Sequence, residues 1–449
     1  MLDVRQFFQT TNPARTLDPR REGDRQLYID FSEVRGEQII AEIRDLITFY
    51  EPENPTCTLF TGHIGCGKST ELLKLRAELE EEGFHVVYFE STDDLEMADV
   101  DIGDVLLAIA RRISQSLEGI NIGEPKGLKG ILQGAARILM TEIELEGQAE
   151  IMGFGASASS EGEFSVSAGI GKITARAKND ATLRDRLNQF LGPQKNQLLE
   201  AINDELLKPA IAQLQQQGKK GLVVIVDNLD RIDKRPKAFG RSQQEYLFID
   251  QHECLRKLHC HKVYTMPLAL KFSSEYGLLT ARYMDDPKVL PMVPVQARGG
   301  EISEKSMVLL RQLVLARAVP GSSEDGRLAA IAELFDSPET LDRLCQVSGG
   351  HVRDLLRLLN GWIRKQRQFP LSRDALESTI RSRRNEMTLQ LSDEEWALLR
   401  QVRERRRVGG DQDYQMLIHS RLVFEYRDQG ESWFDVNPIL LGSEGLEGK

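Results

Sequence analysis

The chain has 449 residues, 41% of them hydrophobic and 28% charged, which suits about three globular domains and excludes global disorder. Lys+Arg 58 against Asp+Glu 69 leaves a net charge of -11, so the surface as a whole is no footprint for nucleic acid or anionic lipid, although a local basic patch is compatible with it. No apolar run approaches the roughly 20 residues that cross a bilayer, the first residues lack a charged-then-apolar leader layout, and five scattered cysteines (Cys57, Cys66, Cys254, Cys260, Cys345) fit a reducing cytoplasm better than a disulfide framework.

Residues 1–27 are polar and read as an N-terminal arm without its own core. Leu27 to Phe31 opens a core, and Ile39, Ile40, Ile43, Leu46 and Ile47 follow at helical spacing. A short strand at 56–61 runs into a glycine-rich loop, and a helix over 70–82 is stopped by Gly83. A strand at 85–89 and an amphipathic helix at 104–117 come next. Residues 121–180 break the rhythm with frequent glycine. There Glu142 to Glu146 alternates, and Phe164, Val166, Ala168 and Ile170 alternate with small or polar residues. This segment reads as an insertion, a helix followed by a long hairpin. It is a surface excursion, a self-assembly element or a segment that enters membrane. Helix resumes over 180–217, broken at Gly192-Pro193, and Gly221 to Val226 is the most strand-like run. Helix 244–258, strand 261–265 and strand 288–295 precede a largely helical stretch from 303 to 363. No internal repeat is present.

Gly62-His63-Ile64-Gly65-Cys66-Gly67-Lys68-Ser69 matches G-x-x-x-x-G-K-[ST] at every fixed position, with a strand before it and a helix after it. Gly62, Gly65 and Gly67 let backbone N–H groups turn inward on a phosphate. The helix N-terminus adds positive potential, and Thr70 lies in its first turn. Lys68 is placed to reach the β- and γ-phosphates, and Ser69 to give its hydroxyl to Mg²⁺. His63 and Cys66 stand at variable positions and take no chemistry. Such a loop needs an acid at the end of a neighbouring strand. Val223-Val224-Ile225-Val226-Asp227-Asn228-Leu229-Asp230 supplies Asp227 as the metal-side carboxylate. Asn228 follows, and an amide is no base. Asp230 is the nearby replacement, unless it only caps a helix.

The pair GHIGCGKST and VVIVDNLD resembles the AAA+ and STAND branch of P-loop ATPases, and the D-x-hydrophobic-D form is similar to bacterial STAND proteins and their origin-recognition relatives. No NKxD-type guanine-reading motif follows, and no LSGGQ-like signature is present. The resemblance covers most of residues 28–365. It implies ATP and Mg²⁺ bound between core and lid, with Thr265 as a polar γ-phosphate sensor. It implies Arg353, in SGGHVRDL, as a second sensor on a lid helix, against the bland reading of a surface ion pair. It also implies an arginine given to the neighbouring subunit, Arg282 first and Arg231 second, and it lays Tyr28 to Gly36 against the adenine.

Asp250, His252, Glu253, Cys254, His259, Cys260 and His261 fall close together, yet their spacing lacks the paired C-x₂-C or H-x₃-H of a zinc site. Further on, Ser392 caps a helix with Trp396, Leu398, Leu399 and Val402 on one side. A short helix at 414–420 and strands at 422–426 and 432–436 complete a winged-helix pattern, which often reads DNA. Residues 411–449 carry a net charge of -5, poor for phosphate contact. The basic runs 381–384 and 403–407 read as solvated helix faces rather than nucleic-acid contacts. The wing therefore reads as a protein-contact or autoinhibitory module.

The expected fold class is α/β: an AAA+/STAND-like P-loop NTPase with a parallel sheet (28–300, insertion at 121–180), a helical lid (301–385) and a C-terminal winged helix (386–449). The expected function is an ATP-hydrolysing switch that forms a homo-oligomer when loaded. Such a switch serves bacterial signalling or antiviral defence through a separate effector or sensor protein. The alternatives are a DNA-binding loader or transposition-type ATPase, and a scaffold without turnover.

Overall fold

The computed structural model describes residues 3–118, 125–145, 166–237, 240–409, 412–428 and 430–447, with side chains described for all of these but 140–145, 166–168 and 412. Its centre is a five-stranded sheet of β1 (Cys57–Gly62), β2 (His85–Glu90), β3 (Leu222–Asp227), β4 (His261–Thr265) and β5 (Lys288–Leu290), in the order β2-β3-β4-β1-β5. All its pairings are parallel. The strands are short apolar runs because both faces are covered. Along β3, Val224 and Val226 enter one core while Val223 and Ile225 enter the other, the period-two alternation of a strand. The strand expected over 288–295 closes early, since Pro291 has no N–H to continue the ladder.

The first core lies between the sheet and α3 (Ile102–Ser116), α4 (Lys126–Leu145), α5 (Val166–Asn179) and α6 (Ala181–Leu191). The expected hairpin in the 121–180 insertion is corrected here. Residues 166–179 are helical, and Ile170, Ile173 and Ala177 are buried at helical spacing against the core. That spacing outweighs the two-residue alternation, because it gives the segment one continuous face to bury. Glu142 to Leu145 likewise continues α4. Phe164 and Glu146 lie outside the described residues. Leu128, Leu132, Ala135 and Leu139 are buried too, so the described parts of the insertion join the core rather than stand off it. Among the described residues no helix is long and apolar enough to cross a membrane.

The second core lies on the opposite face, between α2 (Lys68–Glu81), Ile39, Ile43 and Ile47, and three aromatics from far downstream, Phe424, Tyr426 and Trp433. The lid is built from α8 (Glu304–Ala318), α9 (Pro338–Val347), α10 (Val352–Gln366) and α11 (Arg373–Thr388), and ahead of it α7 (Tyr276–Tyr283) leads into β5. The arm packs on the lid. Its helix α1 (Val4–Thr10) puts Phe7 into the lid core, and Thr10 donates to the Arg317 carbonyl at 2.7 Å. After the lid come α12 (Asp393–Arg405), α13 (Gln412–His419) and an antiparallel hairpin of β6 (Val423–Asp428) and β7 (Glu431–Val436), close to the expected bounds. The Ser392 cap is present as a capping box with Glu395. The hairpin faces two ways: Val423, Phe434 and Val436 pack on α12 and α13, while Phe424, Tyr426 and Trp433 pack on the sheet domain.

Candidate nucleotide site

β1 ends at the loop, and α2 begins directly after it. Gly65 and Gly67 hold φ of +96° and +112°, conformations that an L side chain resists. Lys68 folds back to donate to the carbonyls of Gly62 at 2.9 Å and His63 at 3.1 Å. Its ammonium also lies 3.0 Å from the Asp230 carboxylate, both side chains under a tenth exposed. Burial, the largest single effect, would lower the proton affinity of Lys68; the charge and hydrogen bond of Asp230, with Cys66 and Asp227, together outweigh it and the pKa is raised.

Asp227 ends β3, 1% exposed, and receives the Tyr88 hydroxyl at 2.7 Å. Burial raises its pKa and Asp230 adds to that, against the bonds from Ser69 and Tyr88. A buried carboxylate beside a serine hydroxyl and a second acid fits a divalent cation, so Ser69 and Asp227 suit Mg²⁺.

Thr265 does not face the cleft. It is fully buried, and its hydroxyl accepts from the Leu229 amide at 2.8 Å and the Asp230 amide at 3.4 Å. The expectation of a γ-phosphate sensor is corrected on this geometry. β4 lies next to β3, so Thr265 clamps the turn that carries Asp230. The Asp230 carboxylate, expected as the replacement base, is engaged here by Lys68.

Arg353 does meet the loop. Its amide donates to the Gly65 carbonyl at 3.1 Å, and a Cβ on Gly65 would sit 2.8 Å from the Arg353 Cβ. Its side chain lines the cleft above the loop with Arg231. Burial, then Arg231 and Arg421, depress its pKa. Arginines that repel one another around a cleft make a site for an anion. Arg231 thus stands in the chain's own cleft. Arg282 lies on α7, bonded to the Ile249 carbonyl and 3.5 Å from Asp250. Tyr28 to Gly36 packs behind the loop, Tyr28 on Glu71 and Arg35 on the Cys66 carbonyl. Pro13 to Thr16 of the arm, with Val352 and Leu356, line the smaller cleft in its place.

Two features escaped sequence reasoning. Glu90, one residue past the expected end of its strand, accepts from the Asn228 amide at 2.6 Å and lines the larger cleft, of about 870 Å³. No sequence signal points to it, because its place follows from β2 lying beside β3. His63, given no chemistry by the motif, accepts the Glu425 amide of β6 at 2.9 Å. His351 caps α10 through Nδ1 and bonds the Ile64 carbonyl through Nε2 at 2.9 Å. The Phe424 ring stacks on His351 at 5.3 Å and meets His63 edge-on at 5.6 Å. No sequence signal announces this cluster. Of the tempting metal cluster, Cys254 and Cys260 are buried in the core, and His261 takes the Thr56 amide at 3.3 Å. His252 meets the Ile249 carbonyl at 2.9 Å.

Residues 37–237, a little under half of the chain, match the KAP family P-loop domain. No curated protein sequence matches the chain. Among solved structures, it is similar to the Aeropyrum pernix ORC2 protein in ADPNP–ADP complexes (12% identity, 100% of this chain and 97% of that chain covered, TM-score 0.45). A Walker-type ATPase of Pyrococcus abyssi is also similar (13% identity, 98% and 99% covered, TM-score 0.42). So is the A. pernix ORC1 protein in complex with DNA (13% identity, 98% and 96% covered, TM-score 0.38). These likenesses carry no argument about ligands or partners. The loop, the acidic strand and the parallel sheet make this a P-loop NTPase fold.

Proposed function

We propose that the chain is a magnesium-dependent ATPase that acts as a switch, with ATP held between loop and lid and its presence conveyed to the C-terminal hairpin. One observation carries this reading: the phosphate loop is held from outside by two remote segments. Ile64 and Gly65 are bonded by the start of α10, and His63 by β6. A ligand that draws Lys68 and the loop amides onto its phosphates changes the partners of all three residues. Mg²⁺ bound by Ser69 and Asp227 neutralises phosphate charge. Arg353 and Arg231 bind the same anion from the lid and from the turn after β3. Pro13 to Thr16 and Leu356 offer the surface for the base.

The C-terminal module fits the contact or autoinhibitory reading. Its helix α13, placed like a DNA-reading helix, instead lines the cleft through Gln415, Met416 and His419. Gln415 also donates to the Phe272 carbonyl at 2.8 Å. Assembly into a homo-oligomer, with Arg282 reaching the next subunit, belongs to the same proposal, as does a partner protein that reads the switch.

The test is titration of a fluorescent ATP analogue with Mg²⁺, followed by hydrogen exchange with and without ATP. The expected result is saturable binding, lost in Lys68→Ala, with changed exchange in 349–357 and 423–436. Absence of binding overturns the nucleotide reading. Binding with unchanged exchange in both segments overturns the switch.

A further inference from the structure

We propose that Glu90 is the catalytic base that activates the attacking water, doing from the end of β2 what Asn228 cannot do from the end of β3. This rests on the ATPase reading above. Asn228 directly follows the metal-side acid, and an amide takes no proton at neutral pH. The amide is not idle. Held at φ +60°, Asn228 donates Nδ2 to Oε2 of Glu90 at 2.6 Å. Glu90 stands opposite Asp227 in the parallel register of β2 and β3, so both acids emerge at the same end of the sheet. There Glu90 lines the cleft with Ser69, Asp230, Arg231 and Arg353. Oε2 is committed to the amide, and Oε1 is the atom that receives a water.

The other acids of that cleft are otherwise engaged. Asp230 is paired with Lys68 at 3.0 Å, and because ATP draws Lys68 onto its phosphates, Asp230→Asn enters the test as the competing base. Asp233 is half exposed and lies 3.5 Å from Arg235. Asp227 is bound to Tyr88 and to its neighbour's amide, facing Ser69. In the step itself, the water oxygen forms a bond to the γ-phosphorus. The bond from that phosphorus to the bridging oxygen breaks, and its electron pair leaves on ADP. The water proton passes to Glu90 and from there to solvent, and nothing is oxidised or reduced. Asn228 is a positioning residue that fixes the carboxylate by one charge-assisted hydrogen bond.

The experiment compares phosphate release and ATP-analogue affinity in wild type, Glu90→Gln, Glu90→Asp and Asp230→Asn, with unfolding midpoints as the fold control. The expected result for Glu90→Gln is a rate lower by about 100-fold or more with affinity within about threefold, because the base acts only in the transition state. Asp230→Asn is expected to change affinity, through Lys68. Glu90→Gln turning over at the wild-type rate overturns the proposal. Parallel loss of affinity and rate in Glu90→Gln shows a structural role and overturns it too. Where Glu90→Gln does not fold, Glu90→Asp decides: a slower rate at unchanged affinity supports the proposal, and an unchanged rate overturns it. A wild type that binds without turnover sinks the hydrolysis reading itself, which is a different outcome from an active Glu90→Gln.

Discussion

Lys68 and Asp230 are each other's counter-charge in a site that water barely reaches. Removing one member of such a pair strands the other, at a cost of about 3–5 kcal/mol. Lys68→Ala should therefore lower the unfolding free energy by about that amount, and Lys68→Ala/Asp230→Asn should recover most of it. Chemical denaturation of the two single variants and the double variant gives the coupling, and additive losses would contradict it. His261 sets a pH dependence. Burial pushes its pKa down to about 4 from 6.5, with the Lys262 charge adding and the Pro52 carbonyl opposing. The unfolded chain binds that proton first as pH falls. The stability that neutral His261 contributes is thus complete above about pH 6.5 and is lost as pH falls towards 4. Denaturation midpoints of wild type and His261→Gln between pH 7 and 4.5 should converge as the pH drops. Lys68, Ser69 and Asp227 were legible in the sequence because each belongs to an unbroken motif whose physics is local. Glu90 was not, since its meaning depends on β2 lying beside β3, which no spacing along the chain encodes.

At the scale of elements, the turn after β3 is held by a neighbouring strand. Thr265→Ala removes the hydroxyl that receives the Leu229 and Asp230 amides and leaves them buried and unpaired. A loss of about 1–3 kcal/mol is expected, together with weaker nucleotide binding because Asp230 loses its place. Calorimetric unfolding and the analogue titration measure the two effects, and an unchanged affinity would detach Thr265 from the site. The start of α10 is less forgiving still. A Cβ on Gly350 would lie 1.8 Å from the Val293 carbonyl oxygen, on a residue with φ of +72°. Gly350→Ala should cost more than about 3 kcal/mol, whereas Gly299→Ala, with nothing within 4 Å, should stay within about 0.5 kcal/mol. Thermal unfolding ranks the two, and equal midpoints would refute the clash. Helices with one apolar face were read well, and so were strands made of β-branched runs. The insertion misled because glycine and alternation at 164–170 imitate a strand until a helical partner face is known.

Across the whole molecule, the lid, the sheet domain and the C-terminal module meet around Phe424 as well as at the cleft. Lys271 and Glu425 form an ion pair there with Glu425 1% exposed, Tyr426 donates to the Gly349 carbonyl at 2.8 Å, and Arg427 pairs with Glu37. A part that moves with nucleotide must break or keep these together. If Arg282 serves a neighbouring copy, ATP with Mg²⁺ should raise the solution mass of wild type but not of Arg282→Ala. Both should bind the analogue alike. Light scattering after size separation reads this, and growth that persists in Arg282→Ala would remove that residue from the interface.

The bond from the Glu425 amide to His63 joins positions 362 residues apart. A ribosome extends a chain from its first residue, at about 5–20 residues per second. The loop, α2 and all five strands of the sheet therefore emerge well before the hairpin that closes over His63 exists. For tens of seconds of synthesis the nascent protein carries a phosphate loop whose His63 lacks its β6 partner.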